Sequence, residues 1–360
     1  MKIVMLRPSY IPELSAGNHL AVNLVEDFKA AGHDIELIVP VGSSFIENET
    51  DSYNYLVHRI KSNFIGTSTL KRMLRYIDTS IKMFFKLMRI KDADIILSHS
   101  MPPTIGPLSV IAGKVKKIPV VYWEQDIVSQ SIITTGITRK KVTRKIFYSV
   151  SKILENISLK GCTQIITISQ KFKKQHVTDG IKPSKVDVIY NWIDTNKIYP
   201  LQRKDNSLFD KYNLDRSKFY VTYCGNLGVP QNVEIMVDAA EMLQGEDIQF
   251  IIIGGGSREE KIKSYIKEKR LPNLEIFPLE PLENANEVYN IGDIGLVIAK
   301  AGTSNNGFPS KTWSILSAGQ VIISCFDLDS ELSNFVADSK SGIVVELCDF
   351  TANRVFKIRI

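Results

Sequence analysis

The chain has 360 residues, more than one ordinary hydrophobic core holds, which predicts two domains of roughly 150–200 residues each. Its apolar content of 44%, charged content of 23% and formal net charge of +6 are typical of a soluble globular protein. The 4 cysteines form no CxxC pair, which argues against a zinc site or a disulfide scaffold and fits a reducing cytoplasm. No uncharged apolar stretch approaches the roughly 18 residues of a membrane span, so we expect a cytoplasmic protein.

The N-terminal apolar run is broken by Arg7 and Pro8, and it predicts a first strand rather than a signal peptide. Short β-branched runs then alternate with helical patterns along nearly the whole chain. The predicted strands are Lys2–Leu6, Ile35–Pro40, Tyr55–Arg59, Ile95–Ser98, Val120–Trp123, Gln164–Ile168, Val186–Ile189, Tyr220–Cys224, Ile248–Ile253, Leu274–Phe277, Ile294–Ile298, Val321–Ser324 and Gly342–Val345. The predicted helices include Asn18–Ala31, Val233–Leu243 and Glu259–Glu268. This alternation indicates right-handed βαβ units and an α/β fold with parallel sheets covered on both faces.

A cationic amphipathic segment lies in the first half of the chain. Residues 59–91 include nine basic residues and one acid, and between residues 70 and 90 the apolar residues recur at three- and four-residue spacing, which predicts a helix. A second basic run follows at 139–145. One interpretation is contact with anionic lipid head groups, to which each cation contributes about 1 kcal/mol. The other is a domain helix whose apolar stripe faces its own sheet. No recognisable nucleic-acid module accompanies the charge, so we expect no nucleic-acid partner.

The alternation breaks once, between Asn191 and Lys218, where the polar composition is typical of an interdomain linker. We therefore expect an N-terminal domain over 1–198 and a C-terminal domain over 199–360. The carboxyl ends of the strands in two such domains can face each other across a cleft. Those strand ends are where open α/β sheets bind ligands.

Three glycine-containing loops follow predicted strands. They are Gly17-Asn18, Gly225-Asn226-Leu227-Gly228 and Gly254-Gly255-Gly256. Glycine lets backbone N–H groups approach an oxyanion closely, and the start of a following helix adds positive potential. The two loops of the second domain suit a diphosphate. A tight turn remains the alternative for each loop alone, and neither of these two matches the GxGxxG fingerprint.

A fourth motif follows the strand Ile294–Ile298. A polar loop leads into Pro309, Ser310 and Lys311 at the start of a predicted helix that ends near Gly319. A lysine in the first turn opposes the helix dipole, which a purely structural helix would avoid. A phosphate placed there would be stabilised by the lysine and by the dipole, so we expect Lys311 to contact a phosphate group.

Together these motifs resemble the retaining family-four glycosyltransferases of GT-B fold, in which two Rossmann-like domains face each other with a cleft between them. The nearest subgroup is the bacterial one that assembles O-antigen, capsule or other surface polysaccharide. The segments that carry the resemblance are Ile118–Asp126, Tyr190–Asp194, Gly225–Gly228, Ile251–Gly256, Ile291–Leu296, Pro309–Lys311 and Ala318–Gly319. The resemblance covers nearly all of residues 1–345.

The resemblance implies transfer of a hexosyl or N-acetylhexosaminyl group from a nucleoside-diphosphate donor, with UDP as the expected carrier. The implied acceptor is a lipid-linked saccharide at the inner face of the cell membrane, and no cofactor beyond the donor is implied. Two Asp-x-Asp strings, Asp92-Ala93-Asp94 and Asp327-Leu328-Asp329, flank strands as ordinary polar edges, so we expect no metal ion. The expected catalytic residues are Lys311 and Asp126, although Asp126 at a strand end could instead cap a helix. The expected donor-binding residues are Gly17, Asn18, Gly225, Asn226, Leu227, Gly228, Gly254, Gly255, Gly256, Pro309 and Ser310.

The sequence departs from the family pattern at several positions. Asn306 and Ser314 stand where many members carry two glutamates, and Asn226 and Gln231 stand where an arginine and a lysine often follow the first glycine of the second domain. The subgroup often has histidine where Trp123 stands.

The last residues, 348–360, do not resemble the family's continuation, so we expect a truncated or frameshifted end. These departures keep two alternatives open. One is a sugar-nucleotide epimerase of the same fold, which binds the donor but needs no acceptor. The other is a non-catalytic binding or scaffold relative.

Overall fold

A computed structural model describes residues 1–13, 17–41, 53–66, 68–130, 141–300, 308–345 and 358–359 of the chain. The chain divides into two compact units, Met1–Tyr190 (unit 1) and Asn191–Ile360 (unit 2). Among the described helices, none combines the length and the apolar content needed to cross a membrane. The start of the basic run at 139–145 and most of the tail at 348–360 lie outside the described residues.

Unit 1 contains a seven-stranded parallel sheet in the order β3-β2-β1-β4-β5-β6-β7. Its strands are β1 (Lys2–Leu6), β2 (Asp34–Pro40), β3 (Leu56–Ile60), β4 (Ile95–His99), β5 (Val120–Glu124), β6 (Gln164–Thr167) and β7 (Val186–Val188). The order of the first six strands is that of a doubly wound sheet. The predicted α/β fold is confirmed in this unit, because every predicted strand is present to within one residue at each end.

Helices cover the sheet of unit 1 and bury the apolar residues of its central strands. Those described at both ends are α1 (Asn18–Ala30), α2 (Thr69–Arg89), α3 (Ile105–Lys116), α4 (Lys141–Gly161) and α5 (Gln170–Thr178). The core joins Val4 of β1 and Ile96 of β4 to Met83 and Leu87 of α2, all of them fully buried. Burying each such side chain contributes about 1.5–3 kcal/mol of hydrophobic free energy.

Unit 2 contains a second sheet in the order β10-β9-β8-β11-β12-β13-β14. Its strands are β8 (Phe219–Cys224), β9 (Ile248–Ile253), β10 (Leu274–Phe277), β11 (Ile294–Ile298), β12 (Val321–Cys325), β13 (Gly342–Val345) and β14 (Ile358–Arg359). The first six pair in parallel, and β14 lies antiparallel to β13. The sequence did not predict β14, because a two-residue strand is too short to show a periodic pattern.

The described helices of unit 2 are α6 (Leu208–Lys211), α7 (Glu234–Met242), α8 (Glu259–Lys269), α9 (Ala285–Tyr289), α10 (Lys311–Ser317) and α11 (Glu331–Ser339). The polar segment after Tyr190 is held against this unit. The Ser317 hydroxyl donates to the carbonyl of Ile198. The N–H groups of Tyr199 and Leu201 donate to side-chain oxygens of Asn286 and Asn290, at 2.9 and 2.8 Å.

Helix α2 confirms the predicted amphipathic helix but not the interpretation that its apolar stripe faces its own sheet. The buried side of α2 carries Thr79, Ser80, Met83 and Leu87. Much of the stripe is instead exposed, at Leu70, Met73, Ile77, Ile81 and Phe85. The apolar positions therefore outnumber those that the sheet covers.

Candidate active site

Two glycine loops of unit 2 interlock at the carboxyl ends of the neighbouring strands β8 and β9. The first loop is Gly225–Gly228 and the second is Gly254–Gly256. The Leu227 N–H donates to the Gly255 carbonyl at 3.0 Å, and the Arg258 N–H donates to the Leu227 carbonyl at 2.9 Å. Gly256 has a φ of 155°, and a Cβ there would lie 2.6 Å from the Leu227 carbonyl oxygen. Glycine is required because the two loops are in backbone contact.

The interlock divides the backbone donors of the two loops into two groups. The N–H groups of Gly225, Leu227 and Gly254 bind carbonyls within the unit. The N–H groups of Gly228, Gly255 and Gly256 make no hydrogen bond to another residue that the structure describes. The second group can therefore donate hydrogen bonds to an oxyanion, whereas the first group stabilises the loops themselves.

Gly254 permits a sharp test of this arrangement. A Cβ at this position would lie 2.0 Å from the Gly225 carbonyl oxygen, which is backbone and cannot rotate away. We expect Gly254→Ala to lower the free energy of unfolding by about 3 kcal/mol, as overpacking does. The measurement is urea unfolding. The matched control is Gly245→Ala, since a Cβ at Gly245 meets nothing within 4 Å and should change stability by less than about 0.5 kcal/mol.

Lys311 extends from the first residue of α10 toward the first glycine loop. Its Nζ lies 3.7 Å from the centroid of the buried Tyr223 ring, and a Cβ at Gly225 would lie 3.2 Å from the same Nζ. Nζ is buried and has no hydrogen-bond partner among the described residues. Burial lowers the pKa of Lys311 to about 7, partly offset by the Cys224 thiol nearby. An amine in this position lacks a counter-ion that a bound phosphate would supply.

The other predicted donor-binding residues of this motif flank Lys311. Ser310 is exposed and stands at the N-cap position of α10 without a side-chain cap, and Pro309 precedes it. Helix α10 has only 7 residues, so few aligned peptide units contribute to its dipole. The charge of Lys311 is therefore the main electrostatic feature of the motif.

The departures from the family pattern leave a site with few cations. Asn226 is exposed at the loop interlock, and the buried Gln231 Oε1 has no hydrogen-bond partner among the described residues. Ser314 is buried within α10 and hydrogen-bonds Tyr289. Asn306 lies outside the described residues.

In unit 1, Asp126 follows the carboxyl end of β5. Helical structure resumes at Val128, so Ile127 rather than Asp126 occupies the N-cap position, and no described N–H group donates to the Asp126 carboxylate. Burial and the nearby Glu124 carboxylate raise the pKa of Asp126 to about 6. Glu124 itself is buried against His176, with 2.7 Å between Oε2 and Nε2. The alternative role of Asp126 as a helix cap is therefore not supported.

The raised pKa of Asp126 predicts that this residue lowers the free energy of unfolding by an amount that depends on pH. Because the folded-state pKa of about 6 exceeds the ordinary 3.8, charging Asp126 costs stability above pH 6 and costs none well below pH 4. We expect Asp126→Asn to raise the free energy of unfolding by about 2–3 kcal/mol at pH 7.5 and by about half of that at pH 5. Urea unfolding at the two pH values measures this difference. An equal gain in the free energy of unfolding at both pH values would contradict this prediction. The control is Asp27→Asn, which changes an exposed acid of α1.

Arg7 is a candidate functional residue, although in the sequence it stands out only as a break in an apolar run. It directly follows β1, is only 2% exposed and lies 5.0 Å from the centroid of the Trp123 ring. His99 at the end of β4 is buried beside them and accepts a hydrogen bond from the Met101 N–H at 3.0 Å. Burial, and next the charge of Arg7, lower the pKa of His99 well below its usual range. The signal available in the sequence was a cation placed directly after the first strand.

The first glycine motif adjoins Arg7. Gly17 has a φ of 78° and occupies the N-cap position of α1. The Asn18 side chain is used internally, because it accepts from the Ser9 hydroxyl at 3.1 Å and donates to the Glu13 carbonyl at 2.7 Å. Only the backbone of Asn18 is therefore free to contact a ligand. No group of three or more metal-ligating side chains occurs among the residues that the structure describes.

Comparisons with known proteins agree with this architecture. The family model "Glycosyltransferase Family 4" matches residues 17–197, and "Glycosyl transferases group 1" matches residues 204–352. The crystal structure of Anabaena HepE in complex with UDP and glucose is similar with a TM-score of 0.69 and 14% identity, over 93% of this chain and 83% of that chain. The predicted GT-B fold is confirmed, because the two parallel-sheet units in series match this structure, and both matching family models describe glycosyltransferases. The chain belongs to glycosyltransferase family 4.

Two curated relatives are more similar in sequence. WcaI of Escherichia coli (strain K12), provisionally named a colanic acid biosynthesis glycosyl transferase, is 25% identical over 96% of this chain and 88% of that protein. The "UDP-Gal:alpha-D-GlcNAc-diphosphoundecaprenol alpha-1,3-galactosyltransferase" of Escherichia coli is 24% identical over 73% of this chain and 64% of that protein.

Proposed function

We propose that the chain transfers a sugar from a UDP-sugar to a lipid-linked or saccharide acceptor, with retention at the anomeric carbon, in surface polysaccharide assembly. The observation that carries the donor half of the proposal is Lys311, a buried amine without a partner among the described residues, placed against the first glycine loop. Family membership supplies the reaction class.

Lys311 and the unpaired N–H groups of the loops would stabilise the departing diphosphate. As the bond to the anomeric carbon breaks, negative charge accumulates on the leaving phosphate oxygens. Donors aimed at that charge in a site shielded from water lower the barrier, each contributing about 3–4 kcal/mol. Lys311 would provide the charge, while Gly228, Gly255 and Gly256 would provide fixed dipoles. Pro309 and Ser310 would position the start of α10 beside the phosphates.

Retention requires no strong side-chain base in this scheme. The acceptor hydroxyl would attack from the face that the diphosphate leaves, and the departing phosphate can take the proton. Asp126 would accept hydrogen bonds from sugar hydroxyls at the strand ends of unit 1, and it could do so best in its charged form above pH 6.

The names of the relatives support the substrate classes proposed. The E. coli galactosyltransferase is named for UDP-Gal, for a diphosphoundecaprenol-linked acceptor and for an alpha linkage in its product. HepE is described in complex with UDP and glucose, and WcaI is assigned to the synthesis of a polysaccharide. These names favour a transferase over the epimerase and scaffold alternatives.

We further propose that unit 1 contacts an anionic membrane, where a lipid-linked acceptor resides. Helices α2, α3 and α4 lie side by side, and we call their exposed surface the apolar helix face. On α4, exposed apolar residues repeat along one side at Val142, Ile146, Val150, Ile153 and Ile157. On α2 and α3 they are Leu70, Met73, Tyr76, Ile77, Ile81, Phe85, Ile111 and Val115.

Cations accompany the apolar helix face. Exposed lysines and arginines on or next to the three helices include Arg72, Arg89, Lys114, Lys117, Lys145 and Lys160. An apolar stripe bordered by cations is complementary to an anionic lipid surface, since the apolar side chains enter the acyl boundary and the cations pair with head groups. Such complementarity favours a membrane over a second protein as the occupant.

The experiment that tests the proposed function is a donor screen with nucleoside-diphosphate release as the readout. The protein is incubated with each of several UDP-, GDP- and dTDP-sugars, with and without a saccharide-diphosphate-lipid acceptor. We expect release with one UDP-sugar that depends on acceptor, together with an acceptor carrying one added sugar. Conversion of the donor without acceptor would indicate an epimerase. Donor binding with no turnover against any acceptor would indicate a binding protein.

A further inference from the structure

Arg7 is a buried cation whose surroundings contain no counter-ion among the described residues. Its Nε donates to the Ser9 carbonyl at 3.4 Å and its Nη2 to the Gly17 carbonyl at 3.3 Å, both long hydrogen bonds. Its Nη1 is buried and has no hydrogen-bond partner among the described residues. Burial lowers the pKa of Arg7 to about 10, so the side chain remains charged at neutral pH. A buried charge of this kind is costly unless an anion accompanies it.

The groups that surround Arg7 do not supply that anion. The Trp123 ring faces the guanidinium, which a planar cation favours, but the ring carries no charge. Two imidazoles are close enough for the charge of Arg7 to lower the pKa of His19 and His99, in each case after burial. The lowered pKa disfavours the charged form of each ring, and neither imidazole can supply a negative charge to Arg7. No described carboxylate forms an ion pair with Arg7.

The start of helix α1 provides a second, independent feature at the same place. Arg7 donates to the carbonyl of Gly17, which is the N-cap residue of this 13-residue helix. Its first turn contains no acidic residue, and its N-cap makes no side-chain hydrogen bond. The first N–H groups of a helix point away from its end and attract negative charge. Arg7 and this helix end thus favour the same kind of ligand.

We propose that Arg7, held against Trp123 at the start of α1, forms a phosphate-binding subsite within unit 1. This inference deepens the proposed function and rests on it for the identity of the substrates. Phosphate is the chemistry favoured, because it is anionic and offers three oxygens that can accept from Nη1 of Arg7 and from N–H groups at the start of α1. The phosphate belongs either to the diphosphate of the lipid-linked acceptor or to that of the nucleotide donor.

The test measures diphosphate binding to the full chain by calorimetry in four proteins. They are the wild type, Arg7→Met, Lys311→Met and the double variant. The probes are inorganic pyrophosphate, UDP as the donor portion, and dimethylallyl diphosphate as a soluble stand-in for a lipid diphosphate. Methionine keeps much of the length of arginine and removes its charge. Arg7→Lys keeps the charge without the planar fork and serves as the conservative variant.

We expect Arg7→Met to weaken binding of at least one diphosphate by about tenfold or more, both in the wild type and in the Lys311→Met background. If Arg7→Met loses affinity for dimethylallyl diphosphate alone, the subsite belongs to the acceptor. If it loses affinity for UDP alone, the subsite belongs to the donor. Arg7→Lys should recover part of the affinity. Without ligand, the circular dichroism spectrum of Arg7→Met should be unchanged and its melting temperature should not fall, because the substitution removes a buried charge that has no counter-ion among the described residues. A structural role of Arg7 would instead lower the melting temperature.

The proposal is overturned if all three probes bind Arg7→Met within twofold of the wild type, or if no probe binds the Lys311→Met protein. Should Arg7→Met fail to fold, the same comparison is made with Arg7→Lys, whose unchanged affinity for every probe would also overturn it. Failure of the proposed function appears differently. In that case, no UDP-sugar is turned over while diphosphate binding still depends on Arg7.

Discussion

Replacing Lys311 with methionine is expected to lower kcat/KM for the best UDP-sugar by about 100-fold or more, with the fold intact. The physical reason is the loss of one charged donor to the leaving diphosphate, which costs about 3–4 kcal/mol of transition-state stabilisation. Steady-state release of UDP measures this loss. The empty protein should at the same time gain stability, because the amine is desolvated and unpaired among the described residues.

The pKa of Lys311 makes the prediction specific. The folded-state pKa of about 7 lies below the ordinary 10.5, so the cost of charging Lys311 is present in full below pH 7 and disappears as pH rises toward 10.5. Lys311→Met should therefore stabilise the empty protein more at pH 6 than at pH 9. Binding of UDP at pH 8 should take up close to one proton, since the bound diphosphate raises the pKa of the amine.

Calorimetry in two buffers with different ionisation enthalpies measures that proton uptake. Lys311→Arg is the matched control, since arginine keeps a positive charge at every working pH and should bind UDP without taking up a proton. Equal turnover in the wild type and Lys311→Met, or equal proton uptake in both, would rule out Lys311 as a phosphate contact.

Substitutions on the apolar helix face are expected to reduce binding to anionic membranes. Changing Ile146 and Ile153 together to glutamate is expected to reduce binding to vesicles that contain phosphatidylglycerol by more than about tenfold. Each isoleucine is more than half exposed, at 55% and 59%, and would contribute about 2 kcal/mol if buried in the acyl boundary. The added carboxylates would also be repelled by the anionic head groups. Co-sedimentation with vesicles of defined composition measures the binding.

The control for this experiment is a pair of equally exposed apolar residues in unit 2. Met242 and Leu282 are 56% and 62% exposed, and the same double change to glutamate there should leave vesicle binding within twofold of the wild type. Vesicles of phosphatidylcholine alone should bind weakly, and added salt should release the protein from anionic vesicles. If the Ile146 and Ile153 changes instead convert a dimer to a monomer without affecting vesicle binding, the face is a contact between copies of the chain.

The strands of both units could be predicted from sequence because their chemistry is local and repetitive. Continuous apolar runs such as Phe250–Ile253 have few alternatives in an α/β protein, and this run lies in a strand. The same reasoning predicted helix α2 but could not decide between the two interpretations of its apolar stripe. Periodicity shows that a helix has an apolar side, but it does not show how much of that side the protein covers. The exposure of Ile77, Ile81 and Phe85 depends on which helices lie beside α2, which is tertiary information.

The candidate site was only partly predictable, for a similar reason. Spacing and residue type identified the two glycine loops and Lys311. They could not show which N–H groups the loops use for each other, because hydrogen bonds such as that from Leu227 to Gly255 join distant positions. Nor could they identify Arg7, since its importance depends on burial beside Trp123, more than 100 positions later in the chain. Burial of a charge is a property of the folded chain.

The backbone hydrogen bonds between the two glycine loops of unit 2 should affect the kinetics of ligand binding. A loop that must become ordered around its ligand loses conformational entropy at that moment, and this loss weakens affinity. Here the hydrogen bond from Leu227 to Gly255 and that from Arg258 to Leu227 fix the backbone in advance. A nucleotide would thus meet preorganised amides, and substitutions that loosen them should shorten its residence time more than they slow its association.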